Sequence, residues 1–194
     1  SIWEQQMAIT QGVRPGGRSA RVQAAIHQAV RELEQEMGRQ ALTIPAIATR
    51  AGVTPSTLYR RWGDLPQLLA DVAVEKLRPD AEPQDTGSFT GDLEIWLNTY
   101  IEEMASEPGR AMLRDVLGTP GHESSGKCAG FTAQQLEVMR ERALARHEAP
   151  ASAQQIIERI IAPLMYRILF TCETPTPQDI QRLLVALATP SEQA

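Results

Sequence analysis

Few of the residues that usually carry chemistry stand where they could act together. Gly121-His-Glu-Ser-Ser-Gly-Lys127-Cys128 spells a phosphate-binding loop, G-x-x-x-x-G-K-[ST], but Cys128 replaces the hydroxyl that would hold Mg²⁺. That mechanism also needs a buried strand before the loop. A helix and Gly118-Thr-Pro precede it here, so the segment reads as a flexible loop between two helices. His122 and His147 have no His, Cys or Asp partner at ligand spacing, and no metal site follows. Cys128 is a redox-thiol candidate only through its basic neighbour Lys127. No nucleophile can be paired with a base. The sequence therefore offers no catalytic residue, metal or cofactor, and speaks against an enzyme.

Recognition chemistry is concentrated in Thr54-Pro-Ser-Thr-Leu-Tyr-Arg-Arg-Trp62. Leu58 and Trp62 are i and i+4, so they share one face of a helix. Ser56, Thr57, Tyr59, Arg60 and Arg61 fall on the other. That face is polar and basic with one aromatic, which suits a helix laid in the DNA major groove. The preceding residues supply the elements that would present it. Thr43 is an N-cap candidate, and Ile44, Ile47 and Ala48 give a first apolar face at helical spacing. Gly52 stands where a left-handed residue ends that helix, and Val53 can plug the angle. Thr54 caps the second helix, with Pro55 at its first position. In this reading Thr43, Tyr59 and basic side chains such as Arg61 meet phosphates, and Arg14 and Arg18 reach phosphates or the adjacent minor groove. Ser56, Thr57 and Arg60 meet base edges, and Pro55 a thymine methyl. The alternative is a helical module that binds a protein partner, its basic face merely solvated.

In combination these residues resemble the N-terminal domain of the TetR family of one-component bacterial transcription regulators. The likeness rests on Thr43, Ala51-Gly52-Val53, Leu58-Tyr59 and Arg61-Trp62. Leu65 departs from it, standing where the family often has a phosphate-touching lysine. The resemblance implies an operator of double-stranded DNA, a homodimer and a small-molecule effector, with repression the expected action. A DNA-binding regulator without an effector stays open.

Charge is segregated in a way that fits. The net charge is −5, yet from Arg14 to Trp62 there are eight arginines against three glutamates. The remainder carries eleven basic and twenty-one acidic residues, so only one end suits phosphates. No stretch of about 18 apolar residues predicts a membrane span. Two cysteines and a start without basic and apolar signal regions predict a cytoplasmic chain.

Periodicity predicts an all-α fold of about nine helices; the family likeness divides it into a flexible arm over 1–17, a three-helix DNA-binding domain over 18–63 and a helical ligand-binding and dimerisation domain over 64–194. The first helix spans about 19–37, with Val22, Ile26, Val30, Leu33 and Met37 on one side. His27 reads as a surface or packing residue, and Glu32, Glu34 and Glu36 as a solvated face. Later helices are expected at about 65–77, 89–106, 108–118, 130–147, 152–173 and 177–188. Pro163 should kink the eighth or open one of its hydrogen bonds.

The family likeness places an effector among helices 5 to 8. The candidates there are Trp96, Tyr100, Met104, Met112, Leu113, Leu117, Phe131, Met139, Met165 and Tyr166. Few charges fall on these faces, so a largely apolar or aromatic ligand is favoured. Helix 8 is apolar around much of its circumference, which implies burial on two sides. Helices 8 and 9 end the chain as the dimerising pair does in the family, so the likeness implies a dimer interface at Ile156, Ile160, Leu164, Ile168, Ile180, Leu183, Leu184 and Leu187, the alternative being a core helix buried within one chain.

Overall fold

A computed structural model describes residues 17–188. The predicted arm, with Arg14, lies outside the described residues except for Gly17. Among those residues the fold is all-α, with nine helices and no strand. They are α1 (Arg18–Met37), α2 (Ile44–Ala51), α3 (Pro55–Trp62), α4 (Leu65–Leu77), α5 (Phe89–Ala105), α6 (Glu107–Leu117), α7 (Glu123–Ala145), α8 (153–171) and α9 (Pro177–Ala188). The described chain divides into two compact units. One comprises 17–78 with 114–128, the other 79–113 with 129–188. α4 thus groups with the helix-turn-helix rather than with the later helices.

In the first unit, Ile26, Val30 and Leu33 of α1, Ile44, Ile47 and Ala48 of α2, Leu58 of α3 and Leu68 and Val72 of α4 form one core. The caps follow the side chains. Asp64 accepts the Gln67 amide at 3.0 Å to open α4. Glu32 and Glu36 are not simply solvated: both engage Arg50, at 3.4 and 2.7 Å, and so brace α1 against the end of α2.

The second unit packs α8 against α5 and α9. Ser88 caps α5 by accepting the Gly91 amide at 3.1 Å. A Cβ on Gly91 would clash with the Thr86 hydroxyl and displace it. Asp92, fully buried, accepts the Thr86 amide and hydroxyl and the Arg146 guanidinium. α8 opens on the capping box that Ser152 and Gln155 predict. It is α-helical over Ala153–Ile156 and Ala162–Tyr166, and π-wound over Ile157–Ile161 and Arg167–Thr171. Pro163 therefore does not break it. The Ala162 amide reaches back five residues to the Ile157 carbonyl, and this wider turn makes room for a ring that would otherwise meet the carbonyl four residues back. Arg110 donates to the Cys172 and Glu173 carbonyls at the end of α8, where a cation is favoured.

Two expectations are corrected. The segment after Gly121 is not a loop throughout: α7 begins at Glu123, seven residues earlier than periodicity suggests, and carries Gly126, Lys127 and Cys128. The apolar repeat starts only at Phe131, so the polar first turns of α7 gave no hydrophobic signal. Cys128 is consequently half-buried. Burial pushes its thiol up to about 11 against the weaker pull of Lys127, the opposite of what a redox sensor needs.

Candidate nucleic-acid interface

α2 and α3 form a helix-turn-helix whose turn is specified residue by residue. The Thr43 hydroxyl accepts the Ala46 amide at 3.2 Å and opens α2. Gly52 closes it at φ 71°, ψ 31°, a left-handed conformation that glycine enters without penalty. The amides of Gly52 and Val53 then return to the Thr49 and Ala48 carbonyls. Pro55 occupies the start of α3, as expected. Thr54 does not cap it through its side chain. Its hydroxyl instead pairs with those of Ser56 at 2.9 Å and Thr57 at 3.1 Å.

Leu58 is fully buried beneath α3, and the opposite side is open. Pro55, Ser56, Tyr59 and Arg60 are exposed, Tyr59 at 51%. Ser56, Tyr59 and Arg60 stand at i, i+3 and i+4 and share one edge. Among the described residues Arg60 makes no ion pair, so its guanidinium is available to an anion. Arg18, in the first turn of α1, is also exposed, as is Thr43. Thr57 is half-buried. Arg61 is turned back into the protein: it donates to the Ser19 carbonyl at 3.2 Å and hydroxyl at 2.8 Å, with its guanidinium 5.9 Å from the Trp62 ring centroid. In this structure Arg61 ties α3 to α1 instead of facing outward with Arg60.

The pattern of an exposed basic helix on this turn has known counterparts. The family described as "Bacterial regulatory proteins, tetR family" matches residues 26–72, and "Tetracyclin repressor-like, C-terminal domain" matches residues 83–187. The chain belongs to the TetR family of regulators. Such proteins are DNA-binding regulators of transcription and not enzymes. The chain is 28% identical to the HTH-type transcriptional regulator AqdR of Rhodococcus erythropolis over 182 residues, 91% of this chain and 87% of that one. An uncharacterised HTH-type regulator of Mycobacterium bovis is 25% identical over 165 residues, 82% of each chain. Thermus thermophilus FadR, solved in complex with lauroyl-CoA, shares the fold with a TM-score of 0.63 at 15% identity, over 89% of this chain and 97% of that one.

In this TetR-family chain the second unit holds most of the predicted effector residues, in unequal settings. Trp96 and Tyr100 are half-buried and stacked, centroids 4.8 Å apart and planes 12° from parallel. Met104, Leu113, Phe131 and Met139 are buried, and Met112 and Met165 are half-buried. Leu117 and Tyr166 are exposed, and Leu117 belongs to the first unit.

The predicted dimer residues are distributed differently from the expectation. Ile156, Ile160, Leu164, Ile168, Ile180 and Leu184 are buried inside the protomer, and Leu183 and Leu187 are half-buried. The exposed apolar residues are instead Ala162, Pro163, Tyr166 and Phe170 on α8 and Val185 on α9. Tyr166 is 60% exposed, Phe170 73% and Val185 59%. Tyr166 and Phe170 stack at 5.0 Å. Composition marks both faces of α8 as apolar, but it cannot tell which one the protomer keeps for itself.

One group escaped the sequence reading altogether. His27, Trp62 and Asp71 converge, although they are widely spaced in the chain. The one local signal was an aspartate set in the apolar run Leu68-Leu69-Ala70-Asp71-Val72.

Proposed function

We propose that the chain is a homodimeric, ligand-responsive repressor that binds a near-palindromic operator and is released by a small, largely apolar effector. The observation that carries the DNA half is the exposed edge of Ser56, Tyr59 and Arg60 on a helix pinned by buried Leu58 and the Gly52 turn. Tyr59, Thr43 and Arg18 contact phosphates. Ser56, Thr57 and Arg60 read base edges, with Pro55 against a thymine methyl. Arg61 supports α3 from behind. Two-fold symmetry then places the two copies of α3 about one DNA turn (34–36 Å) apart.

Dimerisation uses the Pro163–Tyr166–Phe170 strip of α8 with Val185 of α9. Large exposed apolar side chains gathered on one face favour a partner surface. The effector site is built around the Trp96–Tyr100 stack, whose flat faces suit an apolar or aromatic molecule. A protein of the same fold, Thermus thermophilus FadR, is solved in complex with lauroyl-CoA, whose acyl chain, though not its charged coenzyme A part, is apolar.

The test is to select bound duplexes from a random pool and measure the affinity of the enriched sequence by gel shift. Tyr59→Ala and Arg60→Ala are expected to abolish the shift while the dimer persists. Affinity should also fall steeply between about 50 and 200 mM salt, as phosphate contacts require. Unchanged binding by both variants would refute the assignment of this face.

A further inference from the structure

Three helices of the first unit meet at one carboxylate. Oδ2 of Asp71, on α4, accepts the indole N–H of Trp62, the last residue of α3, at 3.0 Å. It stands 3.0 Å from Nε2 of His27 on α1, and the Gln23 amide, also on α1, donates to it at 3.4 Å. His27 is only 3% exposed, and its ring lies 6.2 Å from that of Trp62. Burial by itself would push the Asp71 carboxyl up. The hydrogen bonds from His27 and Trp62 outweigh it and hold the group below the usual carboxylate range. An ionised carboxylate only accepts, so Nε2 of His27 carries the hydrogen.

The other restraints on α3 are of a different kind. Leu58 anchors the helix by apolar contact, which is non-directional and leaves rotation about the helix axis soft. Directional bonds leave the end of α3 at two places: Arg61 to Ser19 and Trp62 to Asp71. Rotation matters to the exposed edge. A helix with its side chains is about 10–12 Å across, so a turn of about 20° moves a side-chain group by about 2 Å. A hydrogen bond to a base tolerates only a few tenths of an ångström.

We propose that Asp71 is a positioning residue for base readout: by holding the Trp62 indole against His27 it fixes the rotation of α3, and so sets how well the chain distinguishes its operator from other DNA. This inference rests on the proposed role of α3 as the reading helix. Of the proposed phosphate contacts only that of Tyr59 rides on α3; those from Arg18 and Thr43 do not depend on its rotation, so most of the affinity for unrelated DNA is left in place when Asp71 is altered.

The experiment measures affinity for the selected operator and for an unrelated duplex of equal length, at one salt concentration. Asp71→Asn keeps the volume but removes the charged acceptor. Its operator affinity is expected to fall about tenfold, the worth of one charge-assisted hydrogen bond, with a much smaller loss for the unrelated duplex. Trp62→Phe keeps an apolar ring, smaller than the indole, and deletes the N–H that reaches Asp71. It should lower the ratio of the two affinities to the same extent, and the double variant should lower it no further. His27→Gln retains an amide donor and should keep most of the ratio. If Asp71→Asn or Trp62→Phe leaves the ratio unchanged, or lowers both affinities equally as a folding defect does, the inference is overturned. Failure of the unaltered chain to prefer any duplex would instead refute the functional reading beneath it.

Discussion

Replacing Phe170 by glutamate separates the open face of α8 from the face the protomer has already buried. A phenylalanine side chain presents about 200 Å² when fully exposed. At 73% exposure, roughly 150 Å² of Phe170 remains to be covered, worth about 4 kcal/mol at about 25 cal/mol per Å². Association does not return that in full, because ordering and lost rigid-body freedom offset part of it. Half, about 2 kcal/mol per copy, is a working figure. A two-fold interface contains the residue twice, so Phe170→Glu should weaken the dimer by about 4 kcal/mol, roughly a thousandfold in Kd. The new carboxylate at an apolar contact adds to this. Sedimentation equilibrium over a concentration series reads the dissociation constant, and circular dichroism should show unchanged helix content. The control is Ile160→Glu, at a residue with no exposed surface, which buries an unpaired charge and should unfold the second unit. A Phe170→Glu dimer as tight as the parent would refute the reasoning. So would an Ile160→Glu protein that stays folded but monomeric, since the interior stripe would then be the interface.

Other consequences are equally direct. Thr43→Ala should destabilise the first unit by about 1 kcal/mol in denaturant unfolding, while Thr54→Ala, which removes no side-chain cap, should cost less; equal losses would contradict the capping geometry. At pH 8 an alkylating reagent should modify exposed Cys172 first, because Cys128, with its thiol near 11, is only about one part in a thousand thiolate. Peptide mapping of the alkylated protein checks the order, and rapid labelling of Cys128 would show that it is not packed as described. Asp179 is held at about 2 by the Thr176 amide, the Thr176 hydroxyl and Arg167, whereas an unfolded aspartate titrates near 3.9. Its stabilising contribution is therefore present above about pH 4 and is lost as pH falls towards 2. Acid titration of α9 helicity should show this in the parent and lose it in Asp179→Asn.

Much of the interface was legible because its signals are local. A threonine followed by helical apolar spacing, a glycine at the helix end and a proline at the next helix start each act within a turn of chain. The structure reproduces the Thr43 cap, the left-handed Gly52 and the Ser152–Gln155 box accordingly. Where the expectation missed, the competing partner was distant or had no hydrophobic mark. Arg61 bonds Ser19 across 42 positions and Arg50 reaches Glu36 on another helix. The start of α7 is too polar to announce itself. Thr54 is the local exception: its hydroxyl pairs with those of Ser56 and Thr57 instead of capping the backbone.

The sequence by itself determined the class of protein: an all-α chain, a helix-turn-helix with one basic face, and a family likeness that the matches over residues 26–72 and 83–187 establish. These depend on periods of three to four residues and on caps, which a chain carries in its order. Tertiary structure alone decided which apolar face of α8 is spent inside the protomer. It also turned Arg61 inward, and it gathered His27, Trp62 and Asp71 around one oxygen. Each of these depends on which helices become neighbours, and hydrogen bonds and burial reward proximity in space without regard to distance along the chain.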